Sequence, residues 1–228
     1  MLFRSLAYVA ASNTRGRCSI LERDLTTDAE RVIAVDSSFL SFGCAAPLDW
    51  STDGTRLLVR QDTVLQVTPL DGSAPAHVIA RPGRVWEGRF SPDGRAIAFS
   101  SDETGRAEVY LQALPSGLPA RVSREGGRWP FWTQGGRLLT FLTPDGRVQE
   151  ATVGAGPDAA IGTPRTRFAV PTWRRSMFDD AGSGFAVVGD GERFIVRQSP
   201  SGLAVALVQH WPALLRRADA ADAKPSRP

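Results

Sequence analysis

One short phrase recurs in this chain at nearly constant spacing, and that recurrence limits the available folds more than any other feature. Asp49–Val59 reads DWSTDGTRLLV, Arg89–Phe99 reads RFSPDGRAIAF, and Pro130–Phe141 reads PFWTQGGRLLTF. The glycine that ends each turn falls at Gly54, Gly94 and Gly136, intervals of 40 and 42 residues. A fourth version, AVVGDGERFIV from Ala186, places its glycine at Gly191, 55 residues further on, with an insertion between. Self-similarity with a fixed period in this range marks repeated supersecondary units stacked side by side.

The turn chemistry explains the phrase. Pro92 fixes φ at the first corner, Asp93 can bond its own downstream backbone, and Gly94 accepts the positive φ of a tight hairpin. The flanking segments alternate as strands do, in Arg56–Arg60 and Ala96–Ser100. A third strand follows in each copy, AEVYLQAL (Ala107–Leu114) or TVLQVTPL (Thr63–Leu70). A short fourth closes it, ARVSR (Ala120–Arg124) or HVIA (His77–Ala80). Four short strands per unit predict a blade of a β-propeller. Near the N-terminus SLAYVAAS, CSILERDL and ERVIAV read as second, third and fourth strands with no Asp-Gly turn before them.

The expected fold is all-β: a β-propeller of four-stranded antiparallel blades, about five of them and a partial ring, over residues 1–217. The blades are expected at about 4–34, 46–80, 86–124, 129–170 and 183–209, with residues 171–183 a loop between blades. Helical periodicity is confined to WPALLRRADAADA (Trp211–Ala223), and residues 218–228 read as a disordered tail.

Charge does not point to nucleic acid. The chain carries net +3, but Lys224 is the only lysine and the arginines are scattered rather than gathered on one face. Cys18 and Cys44 lack metal-ligand spacing; two buried free thiols are expected, a pairing being the other option. The start, MLFRSLAYVAAS, lacks the apolar core of a signal peptide, and no apolar run could span a membrane. These features predict a cytoplasmic location, with an extracytoplasmic one open if an upstream portion exists.

Candidate chemistry dissolves into structure on inspection. Ser183 in AGSGF has the wrong glycine spacing for a nucleophile elbow. VGAGPD (Val153–Asp158) lacks the Lys-Ser/Thr of a phosphate loop, and His77 and His210 read as structural. Asp53, Asp93 and Asp145 are turn formers, and Asp102 and Glu103 belong to a second hairpin near Glu108. No catalytic residue, metal or cofactor is expected. Trp50, Trp86 and Trp132 fall in the first strands of successive blades, where they are expected to pack between sheets. The connections between blades should gather on one face around the channel. Those carry Arg81, Arg84, Glu87, Arg128 and Trp129, a mixed Arg/aromatic rim suited to recognition, although an ordinary solvated rim stays open.

The pattern FSPDGRxIAFSSDxxGxxxVYxxxL, strongest at Phe90–Leu114, resembles the WD-repeat-like propeller repeats of the TolB type. The stretch GFAVVGDGERFIV…GLAVALVQHWPALLRR resembles the end of propellers fused to bacterial serine/threonine protein kinases, with Gln209-His210 where an Asn is usual before Trp211. The kinase motifs themselves are absent from this sequence. The resemblance implies a non-catalytic module that binds a protein or small ligand, a sensor in the kinase-linked case. Six or more blades are usual in that family, which implies a fragment or a short, open ring with a tendency to self-associate. Two alternatives are the propeller of a prolyl-oligopeptidase-like hydrolase and a TolB-like periplasmic scaffold.

Overall fold

The computed structural model describes residues 5–12, 17–36, 46–61, 63–74, 77–80, 82–154, 160–170, 185–198 and 204–209. These form five antiparallel sheets that follow one another along the chain. The first contains β1 (Ser5–Ser12), β2 (Arg17–Asp24) and β3 (Glu30–Asp36) in that order. The second runs β4 (Ala46–Trp50), β5 (Arg56–Gln61), β6 (Val64–Pro69) and β7 (His77–Ala80). The third runs β8 (Val85–Phe90), β9 (Ala96–Ser101), β10 (Glu108–Ala113) and β11 (Ala120–Arg121), so the expected fourth strand of this sheet is only two residues long. The fourth sheet is β12 (Arg128–Thr133), β13 (Leu138–Leu142), β14 (Arg147–Thr152) and β15 (Arg165–Ala169). The fifth is β16 (Phe185–Val188), β17 (Arg193–Gln198) and β18 (Ala204–Gln209). The insertion at 171–183, Ser183, His210 and the expected C-terminal helix and tail lie outside the described residues.

The recurring turn has a recurring hydrogen-bond pattern. Ser51 and Ser91 each donate Oγ–H to the aspartate two residues on, Asp53 at 2.5 Å and Asp93 at 2.6 Å. Each Oγ also accepts the N–H that opens the next strand, from Arg56 and Ala96, both at 2.9 Å. The aspartates in turn accept the N–H of Thr55 and Arg95. These donors, the Ser51 hydroxyl foremost, pull the Asp53 carboxyl down to about 2. Thr143, Asp145 and Gly146 repeat the device between β13 and β14. The four glycines of the repeat have φ of 71°, 67°, 90° and 89°.

Gly94 is the copy whose missing side chain makes room for an arginine from the neighbouring sheet. Arg56 crosses from the second sheet, donates Nη2–H to the Gly94 carbonyl at 3.2 Å and lies 5.4 Å from the Phe90 ring centroid. A Cβ on Gly94 would collide with that guanidinium. Gly94→Val therefore combines left-handed strain with a displaced arginine. We expect a loss of about 1–3 kcal/mol, read as a lowered Tm by circular dichroism.

Burial follows the strand period. Leu57 and Val59 of β5 pack with Ile20 of the first sheet, whereas Leu58 between them packs with Val85, Ile97 and Phe99 of the third. Ala98 of β9 turns the other way, toward Leu139 and Phe141 of β13. Leu142 in turn meets Phe185 and Phe194 of the fifth sheet. Second strands are therefore covered on both faces, beyond the simple alternation expected from the sequence. The core is thus four layers, one between each pair of successive sheets. No packing of similar extent joins the first sheet to the fifth among the described residues.

One expectation is corrected here. Cys18 in β2 is 1% exposed and disulfide-bonded, not a free thiol. The chain's other cysteine, Cys44, lies outside the described residues. Composition and spacing carry no information on whether two sulfurs meet in space.

Candidate functional site

The first strands β4, β8, β12 and β16 each pack on the next, so residues one repeat apart become neighbours across sheets. Phe90 donates its N–H to Asp49 Oδ2 at 2.8 Å, and Arg89 donates Nη1–H to the Leu48 carbonyl at 2.5 Å, both 41 residues apart. Trp132 Nε1–H reaches the Arg89 carbonyl at 3.4 Å. Gly88 makes the approach of β8 possible, since a Cβ there would stand 2.8 Å from Leu58 Cδ2.

Each of three first strands also breaks register with its partner at a similar place. The shifts fall between Pro47 and Asp49, between Val85 and Gly88, and between Arg128 and Phe131. A bulge inserts residues that escape the pleat and re-aims their side chains. The bulged residues, Leu48, Trp86, Glu87, Trp129 and Pro130, all line one cavity of about 230 Å3, with Arg60, Arg89, Phe131 and Phe185. Trp129 holds φ at +53°, a conformation rare for a bulky residue.

Behind the cavity lies a stack of alternating cations and indoles. The Arg128 guanidinium sits 4.6 Å from the ring centroids of both Trp86 and Trp129. Arg84 sits 4.6 Å from the Trp86 ring. Arg128 is 2% exposed, and its charge is met by the Glu87 carboxylate through Nε at 3.1 Å and through Nη2. Glu87 also accepts the Ser100 hydroxyl and the Trp129 N–H. The Trp86 Nε1–H is buried and has no hydrogen-bond partner among the described residues. Arg89 lies 5.1 Å from the Phe131 ring, which meets Phe185 edge-on. The cavity therefore offers aromatic surface with guanidinium edges, and its one lining carboxylate, Glu87, is already engaged.

The structure brings four of the five expected rim residues together, in a different setting. Arg84 is exposed just before β8, but Glu87 lies in β8, and Arg128 and Trp129 lie in β12 rather than in solvated connections. Trp129 is 3% exposed, so only part of its surface serves the cavity. Arg81 and the side chain of His77 lie outside the described residues. Trp50 and Trp132 pack between sheets as expected, whereas Trp86 is clasped by arginines. Arg60, Arg89, Phe131 and Phe185 carry no local mark of the site, because only the packing of successive sheets brings them together. Among the described residues no group of three His, Cys, Asp or Glu could hold a metal, and no helix is long and apolar enough to cross a membrane.

Beside the cavity, burial pushes the Asp49 carboxyl above the usual range, against the opposing pull of Arg89 and of the Phe90 N–H. A raised carboxyl contributes most to stability when protonated, below the unfolded value near 3.8, and that contribution is lost as pH rises through the folded value. Asp49→Asn keeps an acceptor for Phe90 without the desolvated charge. We expect a higher Tm than the parent at pH 7 and an advantage that fades toward pH 3, measured by thermal melts across that range.

Successive sheets of short antiparallel strands, packed face to face with their first strands as neighbours, define a β-propeller. Among propellers, this chain is similar to TolB. The Tol-Pal system protein TolB of Methylococcus capsulatus is 38% identical over 63 residues, 28% of this chain and 15% of that protein. TolB from Acinetobacter baumannii superposes with a TM-score of 0.60 at 16% identity, covering 91% of this chain and 49% of that one. A provisional 6-phosphogluconolactonase from Bacteroides fragilis reaches 0.55 at 14% identity, covering 90% of this chain and 64% of that one. The chain thus spans about half the length of the TolB structure it matches. No family model matches it. At these identities the structural likenesses show the fold.

Proposed function

We propose that the mouth of this cavity is a recognition site for a protein or small ligand, and that the chain acts as a non-catalytic, TolB-like binding module. The observation that carries this reading is the convergence of three bulged strands on one cavity lined by Trp86, Trp129, Phe131 and Arg89. Aromatic and arginine side chains dominate the energetics of interfaces. They are held here by packing rather than left to be ordered on binding, which lowers the entropic cost of association. Glu87 supports a binding role over an acid–base one, because Arg128, Ser100 and the Trp129 N–H already occupy its oxygens. The sensor role implied by the kinase-linked resemblance is a narrower form of the same proposal. It rests on residues 184–217, of which only 185–198 and 204–209 are among the described residues.

We place the module outside the cytoplasm, in line with the periplasmic TolB-like alternative. The disulfide at Cys18 supports this, since such bonds persist in oxidising compartments.

Site-specific photo-crosslinking in cells tests the mouth. A benzophenone amino acid at Arg84, exposed beside Trp86, should give a discrete adduct. The same probe at Leu25, exposed in the β2–β3 hairpin of the first sheet, should not. No adduct from Arg84, or the same adduct from both positions, would contradict the proposal.

A further inference from the structure

At the opposite ends of the strands that border the cavity mouth, the third and fourth sheets part. The β8–β9 and β12–β13 turns, the β10–β11 hairpin and Val153, Gly154 and Ile161 after β14 enclose a groove of about 950 Å3. Its floor is apolar: Leu111, Trp132, Val153 and Ile161 belong to or pack against the core between these sheets. Leu118 on its lip is 91% exposed, the most exposed of the large hydrophobic residues described. Gly135 and Gly154 put no side chain on the wall, and a Cβ on Gly135 would meet nothing within 4 Å; their N–H groups are already donated, to Asp190 Oδ1 at 3.2 Å and to the Ala160 carbonyl at 3.0 Å.

Charge is the second property. Arg95 and Arg137 line the groove and are exposed. Arg137 commits Nε to the Gln134 carbonyl at 3.2 Å, leaving its terminal nitrogens toward solvent. Asp93, the one acid in the lining, is engaged by the Ser91 hydroxyl and the Arg95 N–H. Two guanidiniums thus flank an apolar floor with a single committed carboxylate between them.

We propose that this groove binds an extended acidic peptide segment whose apolar side chains fill the floor while its carboxylates meet Arg95 and Arg137. The volume lies at the upper end of ligand sites, about 300–1,000 Å3. An apolar floor bordered by separated guanidiniums suits an extended segment, with side-chain pockets setting specificity. The inference goes beyond the cavity-mouth reading and does not depend on it, because the groove uses other residues at the far ends of the strands.

Fluorescence anisotropy with a labelled Asp-Leu-Asp-Phe-Asp-Leu peptide tests it, using the whole chain. Saturable binding is expected, and at least about tenfold weaker binding of Lys-Leu-Lys-Phe-Lys-Leu and of Asp-Ser-Asp-Ser-Asp-Ser. The double variant Arg95→Glu/Arg137→Glu should lose at least about tenfold in affinity, because like charges then face each other. Leu118→Asp provides a second variant at a site too exposed to affect folding, and should weaken binding with an unchanged melt. Absence of binding, equal binding of the basic peptide, or affinity indifferent to both variants would each overturn the proposal.

Discussion

Glu108→Ala will cost the chain about 1–3 kcal/mol for each buried group it leaves without an acceptor, while its ion-pair partner Arg106 is exposed and regains water. The Glu108 side chain is fully buried in β10. It accepts Arg106 Nε–H at 2.7 Å, the Ser123 hydroxyl, and the Gly126 N–H at 3.1 Å. Ser123 Oγ is itself the acceptor for the Val109 N–H at 2.7 Å. One carboxylate thus fastens β10 to the segment leading into β12, and its removal strands a hydroxyl and an amide without acceptors. For a chain of this size the loss corresponds to a Tm lower by roughly 10 °C. Glu108→Gln keeps an acceptor for Ser123 but turns an amide toward Arg106, so its effect should be intermediate. A Glu108→Ala melt within 1–2 °C or so of the parent would show that the network carries little of the stability.

Arg128→Met should be comparably damaging, at about 3–5 kcal/mol. It removes the cation between Trp86 and Trp129 and leaves the Glu87 carboxylate facing the interior. The informative comparison is the double variant Glu87→Gln/Arg128→Met. Replacing both members of a buried pair by groups of similar volume is often close to neutral, so the double variant should be clearly more stable than Arg128→Met alone. Strictly additive losses in chemical denaturation would mean that the two side chains do not act as a unit.

The turns and the mouth differ in how far the sequence reveals them. Gly54, Gly94, Gly136 and Gly191 were legible because a positive-φ hairpin corner is a local demand, written into the residues that make it. The strand at Leu57–Val59 was legible too, but its burial on both faces was not, because the segment reads only as a strand until the sheets on either side are in place. The mouth was only half legible. Glu87, Arg128 and Trp129 stood out as an Arg/aromatic group, yet they were read as connections because nothing in VWEGRF or RWPFWT marks a bulge. A signal was present all the same: Glu87 and Arg128 are 41 residues apart, one repeat, the spacing that sets first strands side by side. The role of Glu108 was hidden for another reason. An acid flanked by hairpin acids reads as solvated until the partner segment, 15 residues on, is known to fold over it.

The central claim is that the Trp86–Arg128–Trp129 stack and Glu87 exist to present a recognition surface. Its most direct test is the Arg84 crosslink repeated in the Glu87→Gln/Arg128→Met background, with the melt measured on the same protein. The account predicts a stable fold close to the parent and loss of the adduct, since the stack that shapes the mouth is gone. An adduct of undiminished yield in that stable double variant would contradict it.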